Sequence, residues 1–209
     1  MMHHLLNLRR AHIKEHLVFF LFVMLSVPYH QQVFTDWFII DDATAILYST
    51  GSLGEIFVKH NATPYFYTPL AVLLQKMDFL LFKLNPMPYH VHNFVILVLV
   101  AFVFYKILRL YAGGFSSLSC AAVILFSTPS LMMVAWIILR SYLYATLFSL
   151  TAIYVFLKYK PNIKNSRCAL IMVLVLNELT FLTAEQFMTL PFILFILHRG
   201  NLRKRTVET

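Results

Sequence analysis

The chain has 209 residues, of which 60% are hydrophobic and 12% charged, where a soluble domain carries about a quarter charged residues. A formal charge of +8 would suit nucleic acid, but the basic residues stand beside apolar runs, which is how lysine and arginine orient a membrane protein. Composition therefore excludes an ordinary soluble domain, argues for no nucleic-acid partner, and predicts an all-α integral membrane protein in contact with membrane lipid.

From the amino terminus, the first fifteen residues carry Arg9, Arg10 and Lys14 and predict a cytoplasmic flank. His3 and His4 read as part of a solvated tail, since nothing supplies further metal ligands. Residues 16–34 run without a formal charge and are long enough to span, as a retained helix rather than a cleaved signal. Directly behind comes Thr35-Asp36-Trp37-Phe38-Ile39-Ile40-Asp41-Asp42, which holds three of the nine acidic residues. Adjacent carboxylates at the mouth of an apolar helix repel each other and need water, a cation, a metal or a hydroxyl donor. The competing reading is local: Asp41 or Asp42 caps a helix beginning at Ala43.

Gly51, Gly54 and Pro64 punctuate the stretch that follows, and Asn61-Ala62-Thr63 is an N-glycosylation sequon. Residues 67–84 are apolar but interrupted by Gln75, Lys76, Asp78 and Lys83. Wound as a helix, these fall within about half the circumference, which predicts an amphipathic helix lying in the interface. Four apolar runs come next, at 93–110, 115–139, 141–157 and 169–184, with a shorter one at 187–197. Cys120 and Cys168 make no metal or disulfide spacing and read as packing residues. Glu178 sits well inside the fourth run, with Glu185 seven residues on along the same helical face, and an intramembrane carboxylate defaults to a functional role.

Charge bias sets the topology. With 67–84 lying flat outside, six helices remain, and thirteen of the seventeen basic residues fall on the cytoplasmic side, leaving Lys59, Lys76, Lys83 and Arg140 outside. The expectation is one membrane domain over 1–209, with about six transmembrane helices and an extracytoplasmic interfacial amphipathic helix. Both termini are cytoplasmic, an extracytoplasmic loop at 35–91 contains the interfacial helix 67–84, and a basic tail occupies 199–209. Asp36, Asp41, Asp42, the 85–93 segment, Arg140 and Glu185 then share one face, in a prokaryotic plasma membrane or the endoplasmic reticulum.

Several short motifs follow in order. Ile40-Asp41-Asp42 comes after the first helix, Tyr67-Thr68-Pro69-Leu70 opens the amphipathic segment, and Pro88-Tyr89-His90-Val91-His92-Asn93 precedes the second helix. Gly114 then precedes a helix ending Ser127-Thr128-Pro129, Trp136 leads to Arg140, and Glu185 stands six residues ahead of Pro191. In order and spacing the chain resembles, over most of 17–195, the amino-terminal membrane module of GT-C glycosyltransferases, most closely the protein O-mannosyltransferase-like branch. The resemblance implies a GT-C-like fold and a polyprenyl-phosphate-linked sugar as donor. It implies Asp41, and second Asp42, as the general base that takes a proton from the acceptor, with Asp41 also the position for a divalent metal, though no cofactor is indicated. It puts Arg140 against the donor phosphate, His90 and Asn93 on one helix face as a His-x-x-Asn element, and Tyr67 and Glu185 among the substrate-binding residues. Plain alternatives stand beside these: a snorkelling arginine, and an Asn93 cap with a Tyr-His interfacial belt.

Two departures qualify the resemblance. The family's Tyr-Arg-Pro-Leu has threonine here, at Thr68, and the acidic residue expected just after the arginine is replaced by Ser141-Tyr142-Leu143. Family members are also longer, so the expectation includes a partner subunit that supplies the remaining part, and a non-catalytic, lipid- or partner-binding relative as the alternative function.

Overall fold

A computed structural model describes residues 2–58, 67–159 and 166–200, with side chains from Glu15 onward except Ile40. The sequon at 61–63, most of the basic loop around Lys164, the His3/His4 side chains and the tail from 201 lie outside the described residues. Within them the chain is helical, with no strand. The helices are α1 (Met2–His30), α2 (Ile40–Ser49), α3 (Leu53–Val58), α4 (Pro69–Phe82), α5 (Pro86–Leu108), α6 (Gly114–Leu125), α7 (Thr128–Ala135), α8 (Arg140–Tyr159), α9 (Arg167–Phe181) and α10 (Leu190–Arg199). Among the described residues two spans, Pro86–Leu108 and Ile137–Tyr159, are long and apolar enough to cross a membrane. A third is counted if α6 and α7, bent by 51°, form one broken span. The apolar part of α1, Glu15–His30, is shorter, and α9 with 15 residues reaches about 22 Å of a hydrocarbon core roughly 30 Å thick.

α5 is the hub. It is apolar nearly all round, as a helix enclosed by others must be, and it buries Phe94, Leu97, Val98, Ala101 and Tyr105. Phe22 of α1, Ala121 and Leu125 of α6, Val134 of α7, and Leu143 and Tyr144 of α8 complete that core. Alanines at the tightest points (Ala101, Ala121, Ala145 and Ala152, all fully buried) let the helix backbones approach closely. A smaller cluster joins the far end of α8, through Val155 and Phe156, to Ala169 and Val173 of α9.

Several boundaries differ from the sequence reading. The run 115–139 is not one helix. Ser127 caps α7, accepting from the Ser130 N–H, and Pro129 sits in the first turn of α7, a proline placement that starts a helix and cannot continue the previous one. α5 begins at Pro86, with Asn85 as its cap accepting from the Met87 N–H. The 85–93 segment is therefore the cap and first turns of a helix long and apolar enough to cross a membrane rather than a loop before it. α9 stops at Phe181, so Glu178 and Glu185 share no helix face: Glu178 is exposed near the end of α9 and Glu185 opens a 3-10 turn, Glu185–Thr189. Cys120 and Cys168 are exposed rather than packed.

α4 is amphipathic as expected, but turned the other way. Gln75 and Asp78 are buried against the bundle, while Met77, Leu80 and Leu81 face out. The helix ends at Lys83, which adopts φ 53, ψ −123, a conformation costly for any residue with a Cβ. The Tyr89 hydroxyl donates to the Lys83 carbonyl at 2.8 Å and fixes the turn. Lys83→Gly is expected to stabilise the fold by about 1 kcal/mol, relief of strain exceeding the added entropy of the unfolded chain. A rise in the detergent-solubilised unfolding midpoint is the check.

Candidate functional site

At the end of the bundle where α1 finishes and α5 begins, four elements meet around the acidic loop. α2 starts at Ile40, earlier than Ala43, so both aspartates fall in its first turn. Asp42 is fully buried, and its carboxylate works as a clamp. One oxygen accepts the Ile39 N–H at 3.1 Å, closing the start of the helix. The other accepts the Ile138 N–H at 2.9 Å, tying α2 to the turn that leads into α8. Asp42 thus does the capping, from inside the helix rather than ahead of it. Asp41, its neighbour, is exposed. Lys76 of α4 donates to the Ser49 and Gly51 carbonyls at 3.2 and 2.6 Å, placing a cation on the carboxyl end of α2 where the helix dipole favours one.

Two residues after Ile138, Arg140 opens α8 and turns inward, with 1% of its surface exposed. Its Nε donates to the Asn93 amide oxygen at 2.7 Å, one terminal nitrogen donates to the Tyr89 carbonyl at 3.1 Å, and the other pairs with Asp78. The guanidinium also lies 5.5 Å from the Tyr89 ring centroid. Asp78 receives a second partner, His92 Nδ1 at 2.8 Å, and the other ring nitrogen of His92 meets the Tyr144 hydroxyl. His90 and Asn93 are on one face of α5, as the His-x-x-Asn spacing requires. Asn93 donates to the Met133 carbonyl at 3.2 Å, and the two ring nitrogens of His90 face the carbonyls of Val134 at 3.1 Å and Asp36 at 3.2 Å.

Of the residues singled out in the sequence, Arg140 and Asn93 bond directly, His90 and Asn93 share the Val134 carbonyl, and Asp42 holds the Ile138 backbone two residues before Arg140, while Asp41 is exposed. Tyr67 and Glu185 form a separate junction: the Glu185 carboxylate accepts the Tyr67 N–H, and the Leu70 N–H donates to Leu182 at 2.9 Å, fastening the start of α4 to the end of α9. Among the described residues no group of three histidine, cysteine, aspartate or glutamate side chains could hold a metal ion. The donor chemistry bears on this: Asp42 spends both oxygens on backbone N–H groups, and Asp78 shares one oxygen between Arg140 and His92.

Sequence reasoning missed Asp78, His92 and Tyr144. The available signal was a matter of charge. Arg140 is the only charged residue between Arg109 and Lys158, and a cation so placed needs an anion. Asp78, flanked by Met77 and Phe79, is an acid standing in apolar sequence at the same end.

The two buried carboxylates titrate in opposite senses. Burial pushes Asp42 above the usual carboxylate range, against the Ile138 and Ile39 N–H groups that favour its anion. Burial would raise Asp78 too, but the hydrogen bond from His92 and the Arg140 charge outweigh it and hold the carboxyl low. A depressed carboxyl contributes stability that is complete above the unfolded value and lost as pH falls through the folded one; a raised carboxyl contributes stability that falls as pH rises through its window. The detergent-solubilised protein is expected to gain slightly in unfolding midpoint from neutral pH toward Asp42's range and to lose it below roughly pH 4. Asp42→Asn removes the upper phase alone.

Comparisons with protein-family models, with curated proteins and with solved structures found no match to this chain.

Proposed function

We propose that this chain is a GT-C-like membrane glycosyltransferase module, with about six membrane helices, that moves a sugar from a polyprenyl-phosphate donor to an acceptor at the extracytoplasmic face. One observation carries the reading. The acidic loop, the His-x-x-Asn element and the arginine at the start of α8, far apart in sequence, meet through direct hydrogen bonds at one end of the bundle. The acidic pair also divides its labour: Asp42 anchors α2, which leaves the exposed Asp41 carboxylate to accept the proton of an acceptor hydroxyl. The acceptor oxygen then bonds to the anomeric carbon as the bond to the lipid phosphate breaks. Both termini lie in the cytoplasm in this reading, and a partner subunit supplies the rest of the site.

A second reading has its own observation. Arg140 gives its donors to Asp78, Asn93 and Tyr89, so a departing phosphate would compete with the protein for the guanidinium. That favours a non-catalytic GT-C-like subunit that binds a lipid or partner protein. Release of sugar from a polyprenyl-phosphate donor, followed with the purified chain and its Asp41→Asn variant, decides between them. Transfer by the parent that collapses in the variant supports the first reading, and donor binding without transfer in either points to the second or to a half-enzyme separated from the partner that completes its site.

A further inference from the structure

α9 carries a carboxylate where neither lipid nor water suits it. The helix buries Ala169, Val173 and Thr180 and presents Ile171, Leu174 and Val175 outward, at 59%, 56% and 51% exposure. Glu178 follows these three at spacings of seven, four and three residues, which puts it on the same outward face. It is exposed, and among the described residues no donor meets its carboxylate.

Two ties to α8 fix its level. Ala169 and Val173 share a cluster with Val155 and Phe156 near the end of α8. Near the beginning of α8, the Tyr142 hydroxyl accepts from the Gln186 side-chain amide at 3.4 Å. The two helices therefore run antiparallel, and Glu178, between these ties, lies level with the middle of α8. With the turn before it, α8 is long and apolar enough to cross a membrane. When it crosses, Glu178 stands near mid-depth on a surface that faces away from the bundle. An ionisable group there is expensive against lipid and is normally met by a partner or a water-filled cavity. Ile171, Leu174 and Val175 make poor walls for water, which leaves a partner. α9, with 15 residues, is also shorter than the hydrocarbon core, a mismatch that association with other helices relieves.

The charge selects the occupant. Two copies related by a two-fold through α9 would set each Glu178 against its own image, and like charges so placed repel. The bundle's inner cations are committed, Arg140 to Asp78 and Lys106 to Glu15, so neither is free to serve a second copy. We propose that the outward face of α9 seats a transmembrane helix of another polypeptide, one that carries an arginine or lysine at mid-depth to pair with Glu178. Such a helix covers Ile171, Leu174 and Val175 with its own apolar side chains and turns its cation to the carboxylate. This gives the partner subunit of the reading above a place in the fold, but it needs only the crossing of α8 and no sugar transfer.

The test uses the full chain in phosphatidylcholine vesicles, with Cys168→Ser leaving Cys120, exposed on α6, to carry a donor dye. The probes are two acceptor-labelled transmembrane peptides of leucine and alanine, about 20 residues long, identical except for a central arginine or leucine. Energy transfer reads their association with the chain. The arginine peptide is expected to bind the parent about tenfold more tightly than the leucine peptide, the scale of a polar contact between membrane helices. Glu178→Leu is expected to abolish that preference while keeping the helix content, since the side chain is exposed. Equal association of the two peptides with the parent, association of neither, or a preference that survives Glu178→Leu overturns the proposal. Energy transfer between copies of the chain that Glu178→Leu abolishes overturns it as well, in favour of a second copy. No sugar donor enters these measurements, so a failed transfer assay leaves their outcome standing.

Discussion

Replacing Arg140 with methionine is expected to destabilise the protein by about 3–5 kcal/mol, the usual cost of removing one member of a buried ion pair. The loss is larger than a charge count suggests because the guanidinium joins three helices: it reaches Asp78 on α4 and both Asn93 and Tyr89 on α5 from the first residue of α8. Its removal leaves the Asp78 carboxylate buried with His92 as its remaining partner and strips the Asn93 amide oxygen of its donor. Arg140→Lys does not rescue, since an ammonium on a flexible stem cannot reproduce the planar fork that serves separated acceptors. Asp78→Leu is expected to cost a similar amount by leaving the cation unpaired. The double variant Asp78→Leu/Arg140→Met separates charge from hydrogen bonding. It removes both buried charges, which recovers stability, but it leaves Asn93, His92 and the Tyr89 carbonyl short of partners at about 1–3 kcal/mol for each group left unsatisfied. Its unfolding midpoint in detergent should therefore lie between the parent and either single variant. Single variants within about 0.5 kcal/mol of the parent, the range of an ordinary surface change, would show that the network is not holding the helices.

Composition carried the all-helical class with helices apolar enough to cross a membrane, and charge bias with motif order put Asp42, the 85–93 segment and Arg140 at one end together with Glu185, which the structure instead joins to Tyr67. Neither carried the direction of the polar residues. Hydrophobic periodicity shows that Gln75 and Asp78 share a face of α4, but not whether that face meets water or protein. The outward side of α4 is the one carrying Leu80 and Leu81. The break inside 115–139 was legible in Ser127-Thr128-Pro129, yet the unbroken hydropathy on either side masked it. The extension of α5 back to Pro86 was masked in the opposite way: prolines at 86 and 88 read as loop residues, although proline in a first turn is preorganised for a helix. His92 gave no signal of its own, since its role depends on Asp78 and Tyr144 arriving from two other helices.

Asp41→Asn and Asp42→Asn, two changes of one atom each at adjacent positions, should fail in different ways. If Asp41 is the base of the proposed transfer, its amide cannot accept the acceptor's proton, and the rate is expected to fall by about 10²–10⁴, the usual contribution of a positioned general base. The unfolding midpoint should stay put, since the Asp41 side chain is exposed. Asp42→Asn attacks the frame instead. Its carboxylate oxygens each accept a backbone N–H, from Ile39 and Ile138, whereas an amide offers one oxygen and turns an NH2 toward the other donor. One buried N–H is orphaned, at about 1–3 kcal/mol, and the link between α2 and the turn before Arg140 slackens. Transfer would fall here as well, because a misplacement of about 1 Å can cost 10²-fold, but the loss would come with a lower midpoint and would ease on cooling, where the Asp41→Asn loss would not. Undiminished transfer by Asp41→Asn removes the exposed carboxylate from the chemistry and assigns the proton transfer to another group, while the clamp at Asp42 still stands as the frame that ties α2 to the turn before Arg140.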